Sequence, residues 1–281
     1  EGTLTSGGAD GVVRLWDTRA DGGLDAPAAE ASGHGGAVSA TCYLGGAVVT
    51  SSWDGTVRVW GCGLAECLQV VNAHAKPCVA LVELDGALVT ASWDSTARVW
   101  DLGAPAVLQE LPHPPGAGVN CVCALDGGAI ATGAADGAVR VWAPPGPGGA
   151  GPGVQELLGH SQSVRCLAVA PDGRLASGGT DNRLLLWDVA RGELAQELAG
   201  HQGGVSALLT ARGRLLSGSY DATVRVWDVR SGTCLALLKG HTGPVWCLAS
   251  GGGSVYTSGQ DGRILEFSEG AMSDLWAEGA E

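Results

Sequence analysis

An aspartate recurs along the whole 281-residue chain at nearly constant intervals, and an aromatic residue follows six positions after each copy. The intervals between successive aspartates are 44, 40, 42, 45, 40 and 40 residues. The seven aspartates are Asp10, Asp54, Asp94, Asp136, Asp181, Asp221 and Asp261. A repeat of this length is one small structural unit that buries its hydrophobic face only by stacking on its neighbours. The spacing therefore predicts seven copies of one unit, each centred on one aspartate.

Each unit also has a hydroxyl residue four positions before the aspartate, and six units have a histidine 20 to 23 positions before it. All six histidines of the chain belong to this pattern. The sets are His34, Thr50, Asp54 and Trp60; His74, Thr90, Asp94 and Trp100; His113, Thr132, Asp136 and Trp142; His160, Ser177, Asp181 and Trp187; His201, Ser217, Asp221 and Trp227; and His241, Thr257 and Asp261, with Phe267 in place of tryptophan.

The residue pattern within each unit predicts short β-strands. Residues 223–227 alternate polar and apolar side chains at period two, which is typical of a half-buried strand. A glycine directly follows the repeat aspartate at Asp10, Asp54, Asp136 and Asp261, and Asp-Gly is typical of a hairpin turn between two strands. A single small sheet cannot bury both of its faces, so we expect the units to pack on one another and to close into a ring.

These residues resemble the WD-repeat β-propeller family, whose unit opens with Gly-His and closes with Trp-Asp. The opening pair stands at His34, His160, His201 and His241, and the closing pair at Trp16, Trp100, Trp187 and Trp227. The resemblance covers residues 1–281 and implies an all-β, seven-bladed propeller formed as a single domain. Because only nine residues precede Asp10, we expect the first blade to lack its innermost strand. An outer strand of the last blade is expected at residues 272–277.

The resemblance also implies that the His, Ser or Thr, Asp and Trp of a unit form a buried chain of hydrogen bonds that braces the blade. A Ser-His-Asp nucleophilic triad is the alternative, for which His201, Ser217 and Asp221 supply the residue types. An enzyme needs one activated nucleophile beside one oxyanion hole, whereas this set occurs six times. We therefore expect no catalytic residue, no enzymatic activity and no cofactor, and a propeller hydrolase stays a distant alternative.

The charge balance limits the partners, because 16 Lys and Arg stand against 29 Asp and Glu and give a formal charge of −13. Such acidity argues against nucleic acid or an anionic membrane surface as the main partner. No apolar run approaches the length of about 18 residues that a membrane helix needs, and the chain does not start with a secretory signal. We expect no membrane insertion and an intracellular location, cytoplasmic or nuclear.

The nine cysteines are an odd number and lack the spacing of metal ligands, so we expect reduced thiols and no metal site. Cys62 and Cys67 share one loop, but no histidine is spare to complete a zinc site with them. In three units a cysteine follows the second residue of the innermost strand, which predicts that Cys121, Cys166 and Cys247 pack in the core.

The upper face of a WD-repeat propeller, which carries the turn aspartates, is often its contact surface. The resemblance implies that this face presents the residue before each turn aspartate and the second residue of each innermost strand. The candidate partner-binding residues are Trp53, Trp93, Tyr220 and Gln260 in the first of these positions, and Asn120, Arg165 and Trp246 in the second. Trp, Tyr and Arg dominate binding hot spots. The alternative is that Trp53 and Trp93 only cover neighbouring turns.

Taken together, the pattern predicts a non-catalytic scaffold that binds a partner peptide or loop on the upper face, as a subunit of a larger protein complex. Units such as residues 215–248 look like the propellers of F-box substrate receptors in ubiquitin ligases, although no F-box is visible in this chain. A substrate-receptor propeller is therefore the main alternative function.

Overall fold

The computed structural model describes residues 3–18, 26–104, 106–144 and 153–268, which form 26 β-strands and one short 3₁₀ turn, Asp126–Gly128. No helix in these ranges is long and apolar enough to cross a membrane. The expected outer strand at 272–277 lies outside the described residues. The chain divides into two compact units, residues 1–132 with 142–154 and residues 133–141 with 155–281.

The first unit contains three complete sheets, and in each of them strands that are neighbours in sequence pair with one another. The first sheet has three strands, β1 (Thr3–Gly7), β2 (Val12–Asp17) and β3 (Ala29–Ser32). The second has β4 (Val38–Leu44), β5 (Ala47–Ser52), β6 (Thr56–Trp60) and β7 (Cys67–Asn72). The third has β8 (Cys78–Leu84), β9 (Ala87–Ser92), β10 (Thr96–Asp101) and β11 (Ala106–Pro112).

The second unit also contains three complete sheets with sequential strand order. The fifth sheet has β16 (Val164–Val169), β17 (Leu175–Gly179), β18 (Leu184–Asp188) and β19 (Glu193–Leu198). The sixth has β20 (Val205–Ala211), β21 (Arg214–Ser219), β22 (Val224–Asp228) and β23 (Thr233–Leu238). The seventh has β24 (Val245–Gly251), β25 (Ser254–Gly259) and β26 (Ile264–Phe267). The fourth sheet, with strands in both units, has β12 (Val119–Ala124), β13 (Ile130–Ala134), β14 (Ala138–Trp142) and β15 (Val154–Leu158).

The seven sheets confirm the all-β, seven-bladed fold that the repeats predict. In the second sheet the repeat tryptophan, Trp60, lies in the third strand, whereas in the first sheet its counterpart Trp16 lies in the second. The described strands of the first sheet therefore correspond to the second, third and fourth strands of a complete blade. The innermost strand has no counterpart there, as predicted.

Neighbouring sheets are held together by the repeat tryptophans and by the apolar residues of the strands. Trp60 packs with Val13 and Leu15 of the first sheet, and Trp227 packs with Leu184 and Leu186 of the fifth. Trp187 and Trp227 are among the largest fully buried side chains. Trp60 and Trp227 thus each fill the space between their own sheet and the preceding one.

The turn between the second and third strands explains the Asp-Gly signal. In every repeat the residue after the aspartate has a positive φ, at Gly11, Gly55, Ser95, Gly137, Asn182, Ala222 and Gly262. The aspartate stabilises this turn, since its carboxylate accepts a hydrogen bond from the backbone N–H two residues later, as in Thr223 N–H to Asp221 at 3.0 Å. Glycine adopts a positive φ without the steric cost that a side chain imposes.

All nine cysteines are free thiols in the described residues. Cys121 and Cys166 are buried as predicted, and the thiol of Cys166 contacts the carbonyl of Val205 in the next sheet at 3.6 Å. The prediction for Cys247 was wrong, because this residue is exposed. Cys247 lies in the seventh sheet, and no further sheet of its unit follows within the described residues to cover it.

We expect Ala222→Gly to raise the free energy of unfolding by about 0.5–1 kcal/mol, because alanine at a φ of 65° carries a steric cost that glycine avoids. Gly262→Ala is the matched opposite change, since Gly262 has a φ of 73° and nothing lies within 4 Å of an added Cβ. Urea denaturation of both variants measures the two shifts. A change of the free energy of unfolding in the same direction in both variants would contradict this explanation of the turn.

Candidate functional site

The repeated polar residues of the sixth sheet form a continuous chain of hydrogen bonds. The indole N–H of Trp227 donates to Ser217 Oγ at 2.8 Å. Ser217 Oγ lies 2.6 Å from His201 Nε2, and His201 Nδ1 lies 2.9 Å from Asp221 Oδ2. The carboxylate can only accept, so Nδ1–H donates to the aspartate, and in a neutral ring the unprotonated Nε2 then accepts from the serine hydroxyl.

The same chain is present in three other sheets. The second sheet joins Trp60, Thr50, His34 and Asp54, with distances of 2.9, 2.7 and 3.3 Å along the chain. The third joins Trp100, Thr90, His74 and Asp94 at 2.9, 2.8 and 2.9 Å. The fifth joins Trp187, Ser177, His160 and Asp181 at 2.7, 2.8 and 3.0 Å. Each chain links the second strand, the third strand and the loop that enters the blade.

The fourth and seventh sheets depart from this arrangement. Thr132 Oγ1 lies 2.9 Å from His113 Nε2 and accepts from Trp142 at 2.8 Å, while His113 Nδ1 lies 3.1 Å from the carbonyl of Leu111. Asp136 pairs with Arg140 at 2.8 Å. In the seventh sheet His241 lies 2.8 Å from Thr257 and 3.0 Å from Asp261, but Phe267 has no indole N–H to donate.

The aspartates fix the entry loop as well as the histidine. Asp54 accepts the backbone N–H of Gly35 and both the N–H and the hydroxyl of Thr56, all at 2.7–2.8 Å. Burial raises the pKa of the Asp54 carboxyl, but the hydrogen bonds from Thr56 and Gly35 outweigh burial and hold the pKa at about 2. In Asp221, too, hydrogen bonds outweigh the effect of burial, and its pKa is also about 2.

The histidines of three chains are neutral near pH 7. Burial lowers the pKa of His34, His74 and His201 below its usual value, more than the neighbouring aspartates raise it. A neutral imidazole has one N–H, which this hydrogen-bond order places on Nδ1. Each chain therefore contains one ionised carboxylate beside a neutral ring.

The Ser-His-Asp spacing matches that of a nucleophilic triad, but the serine is not accessible. Ser177 and Ser217 are 0% exposed, and the oxygen that would attack a substrate accepts a hydrogen bond from a buried indole. A general base must activate a nucleophile that substrate can reach. This geometry supports a brace and provides no accessible nucleophile.

The upper face of the first unit, defined as the end of its sheets that carries the turn aspartates, presents a pair of tryptophans. Trp53 and Trp93 are 52% and 36% exposed, and their ring centroids lie 5.6 Å apart. Trp93 donates its indole N–H to Asn120 Oδ1 at 3.1 Å. Both residues contact neighbouring loops, since an added Cβ at Gly118 would lie 3.3 Å from Cδ1 of the Trp93 ring and one at Gly36 would lie 3.4 Å from Cβ of Trp53. Contact with neighbours and large exposure occur together.

The upper face of the second unit presents a second aromatic pair. The rings of Tyr220 and Trp246 are 5.3 Å apart in an edge-to-face arrangement, and Trp246 is 44% exposed. Gln260 is exposed, and Arg165 is partly buried. Among the described residues, Arg165 Nε is one of four buried side-chain nitrogens without a hydrogen-bond partner.

Sequence reasoning missed the carboxylates that pair with the third-strand arginines. In four pairs the arginine Nε–H donates a hydrogen bond to a glutamate oxygen. The pairs are Arg14–Glu30 at 2.8 Å, Arg98–Glu110 at 3.0 Å, Arg140–Glu156 at 2.8 Å and Arg183–Glu197 at 3.1 Å. The signal was available, because a glutamate follows each of these arginines by 12 to 16 residues. Arg58 and Arg225 instead face Val70 and Leu237, and their Nε atoms lack a partner.

These features define a repeat protein of the β-propeller class, in which complete chains of hydrogen-bonded polar side chains brace the second, third, fifth and sixth sheets. The family model described as "WD domain, G-beta repeat" matches six segments, residues 27–61, 65–101, 106–143, 151–188, 192–228 and 232–267. The chain therefore belongs to the WD-repeat family. WD-repeat propellers generally serve as non-catalytic platforms for protein interactions.

Similar proteins carry different roles in their names. The nuclear distribution protein nudF of Aspergillus niger is 26% identical in an alignment of 232 residues that covers 73% of this chain and 41% of that protein. A small ribosomal subunit protein RACK1 of Medicago sativa is 58% identical over 38 residues, 13% of this chain and 12% of that protein. A U3 snoRNP-associated protein-like YAOH of Oryza sativa is 50% identical over 50 residues, 17% of this chain and 10% of that protein. The chain spans about two fifths or less of these relatives.

We expect Trp227→Phe to lower the free energy of unfolding by about 2 kcal/mol, through loss of the indole hydrogen bond and of buried ring volume. Phe267→Trp is the converse change, since Phe267 pairs with Val255 as Trp227 pairs with Leu215. A new indole N–H at residue 267 reaches Thr257 and adds about 1 kcal/mol. Chemical denaturation measures both, and a Trp227→Phe variant as stable as the parent would contradict the brace.

We expect the free energy of unfolding to fall as the pH drops from about 7.5 to about 5. The pKa values of His34, His74 and His201 are lowered in the folded state, so below the unfolded-state pKa near 6.5 the unfolded chain binds more protons. The lowered aspartate pKa values extend the loss to lower pH.

Urea denaturation across this pH range, at low salt and at about 0.5 M NaCl, measures the effect. Reduction of the net negative charge at lower pH acts in the opposite direction and is screened by salt. Stability that stays constant or rises toward pH 5 in high salt would contradict buried neutral histidines.

Proposed function

We propose that this protein is a non-catalytic scaffold that binds a partner peptide or loop on its upper face. The observation that carries the proposal is the pair of partly exposed aromatic clusters, Trp53 with Trp93 and Tyr220 with Trp246. Exposed apolar groups that are grouped and rimmed by polar atoms mark interaction sites. Asn120 and the turn aspartates supply the polar rim.

The aromatic residues stand on rigid supports. The backbone N–H of Trp53 donates to the carbonyl of Ala37 at 2.9 Å, and that of Trp93 donates to Pro77 at 3.1 Å. Tyr220 N–H is held by the carbonyl of Gly204 at 2.9 Å. Side chains on fixed backbone lose little entropy when a partner binds, which favours their use as hot spots.

Two finer parts of the proposal rest on the sequence. The proposal that the protein acts in a multi-subunit complex inside the cell, in the cytoplasm or nucleus, is supported by the family and by the free cysteines. The F-box substrate-receptor alternative rests on sequence resemblance alone, since none of the three relatives named above is described as an F-box protein. The acidity of the chain disfavours a nucleic acid partner.

Comparative affinity capture tests the upper face. One variant combines Trp53→Ala with Trp93→Ala, a second combines Tyr220→Ala with Trp246→Ala, and the partners that each retains are quantified against the parent protein. The control combines Leu68→Ala with Leu108→Ala, two exposed apolar residues of outer strands. Thermal unfolding of all variants shows that each remains folded.

Loss of the same specific partners from an upper-face variant, with retention by the outer-strand control, is the expected result. Trp53, Trp93 and Trp246 are exposed and Tyr220 is half-buried, so the variants remain folded. Identical partners at identical amounts for the parent and both upper-face variants would overturn the proposal.

A further inference from the structure

We propose that the tryptophan pair of the first unit binds a cationic side chain, a lysine or arginine of the partner peptide. This inference rests on the proposed upper-face function and names the chemistry of the partner. It starts from three observations: the exposed faces of Trp53 and Trp93, the charge of their unit, and two carboxylates that form no ion pair with a lysine or an arginine in the described residues.

The charge of the chain is concentrated in the unit that carries this pair. Residues 1–132 and 142–154 contain 14 acidic and 5 basic residues, whereas the other unit contains 15 acidic and 11 basic residues. The first unit therefore holds −9 of the total charge of −13. A field of this sign attracts cationic partners and raises their rate of encounter.

The tryptophans are also next to partly exposed carboxylates. Asp54 and Asp94 directly follow the two tryptophans, and their side chains are 18% and 11% exposed. In the described part of the chain, no Lys or Arg lies within 4 Å of either carboxylate, whereas Asp10 pairs with Arg14 at 2.6 Å. Their histidine partners are neutral near pH 7 because burial lowers the pKa of both rings. Neither carboxylate therefore forms an ion pair with a lysine or an arginine in the described residues.

Lys76 is the opposing charge on this face, since it is exposed and lies in the loop that precedes β8. One lysine against two carboxylates leaves the turns of the second and third sheets net negative. The ring faces add to this preference, because the quadrupole of an indole attracts cations and repels anions. Anionic and phosphorylated partners are therefore disfavoured at this pair.

A peptide titration tests the inference with defined probes. The first probe is a 12-residue Gly-Ser peptide that carries three lysines, the second has norleucine at each lysine, and the third has glutamate there. The protein is labelled with ¹⁵N-tryptophan, and the indole N–H signals of residues 53 and 93 are assigned with Trp53→Phe and Trp93→Phe. Norleucine keeps the length of the alkyl chain and removes the ammonium, so it separates charge from apolar contact.

We expect the lysine peptide to shift the signals of Trp53 and Trp93, and the other two peptides to bind at least about tenfold more weakly. Trp53→Leu and Trp93→Leu keep an apolar side chain, and each should lower the affinity for the lysine peptide by about fivefold or more. Tyr43→Leu is the matched control, since Tyr43 is an exposed aromatic residue of the same unit that lies on β4 away from the turn aspartates. It should leave binding unchanged.

Two results would overturn the inference. Equal binding of the norleucine and lysine peptides would make the pair a plain apolar contact, and the upper-face function would still stand. Equal binding of the lysine peptide to the parent and the Trp→Leu variants would show that the negative charge of the unit attracts the peptide without a contribution from the tryptophan rings. The proposed upper-face function is tested separately by the affinity-capture experiment. It fails if the aromatic variants capture the same partners in the same amounts as the parent protein.

Discussion

The structure depends on one buried hydroxyl in each of five blades, the second to the sixth, which accepts a hydrogen bond from an indole and donates one to an imidazole. Ser217 joins Trp227 to His201 in this way, and His201 then reaches Asp221. A single buried hydroxyl thus fixes two strands and an entry loop, and loss of either partner leaves a polar group unsatisfied at a cost of about 1–3 kcal/mol. This explains why the four residue types recur together at fixed spacing.

The brace also determines what the blade can present to a partner. With the aspartate held from one side by the histidine and from the other by its own turn, the residue that precedes it is displayed on immobile backbone. Trp53 and Trp93 occupy that position, and Asn120 adds a polar anchor from the next sheet. Structural constraint and surface chemistry therefore come from adjacent residues of one motif. The aspartate supplies both the turn and the negative charge beside the rings.

The sequence was sufficient for the number of sheets and their strand order, because these depend on short-range spacing that repeats. It was insufficient where the outcome depends on packing between distant strands. The exposure of Cys247 depends on whether another sheet covers it, and the pairing of Trp53 with Trp93 depends on the distance between adjacent turns. The missed Arg–Glu pairs show a third case, in which the spacing was visible but its meaning required the register of the last strand.

The most direct test of the brace is the tautomer of the histidines, observed by ¹⁵N NMR of the imidazole nitrogens at neutral pH. The hydrogen-bond order in the blades requires a neutral ring with its proton on Nδ1 and a bare, accepting Nε2 in His34, His74 and His201. Slowly exchanging Nδ1–H protons with this assignment are the expected result. A proton on Nε2, or charged rings that exchange freely with solvent, would contradict the claim that the serine and threonine hydroxyls hold the blades together.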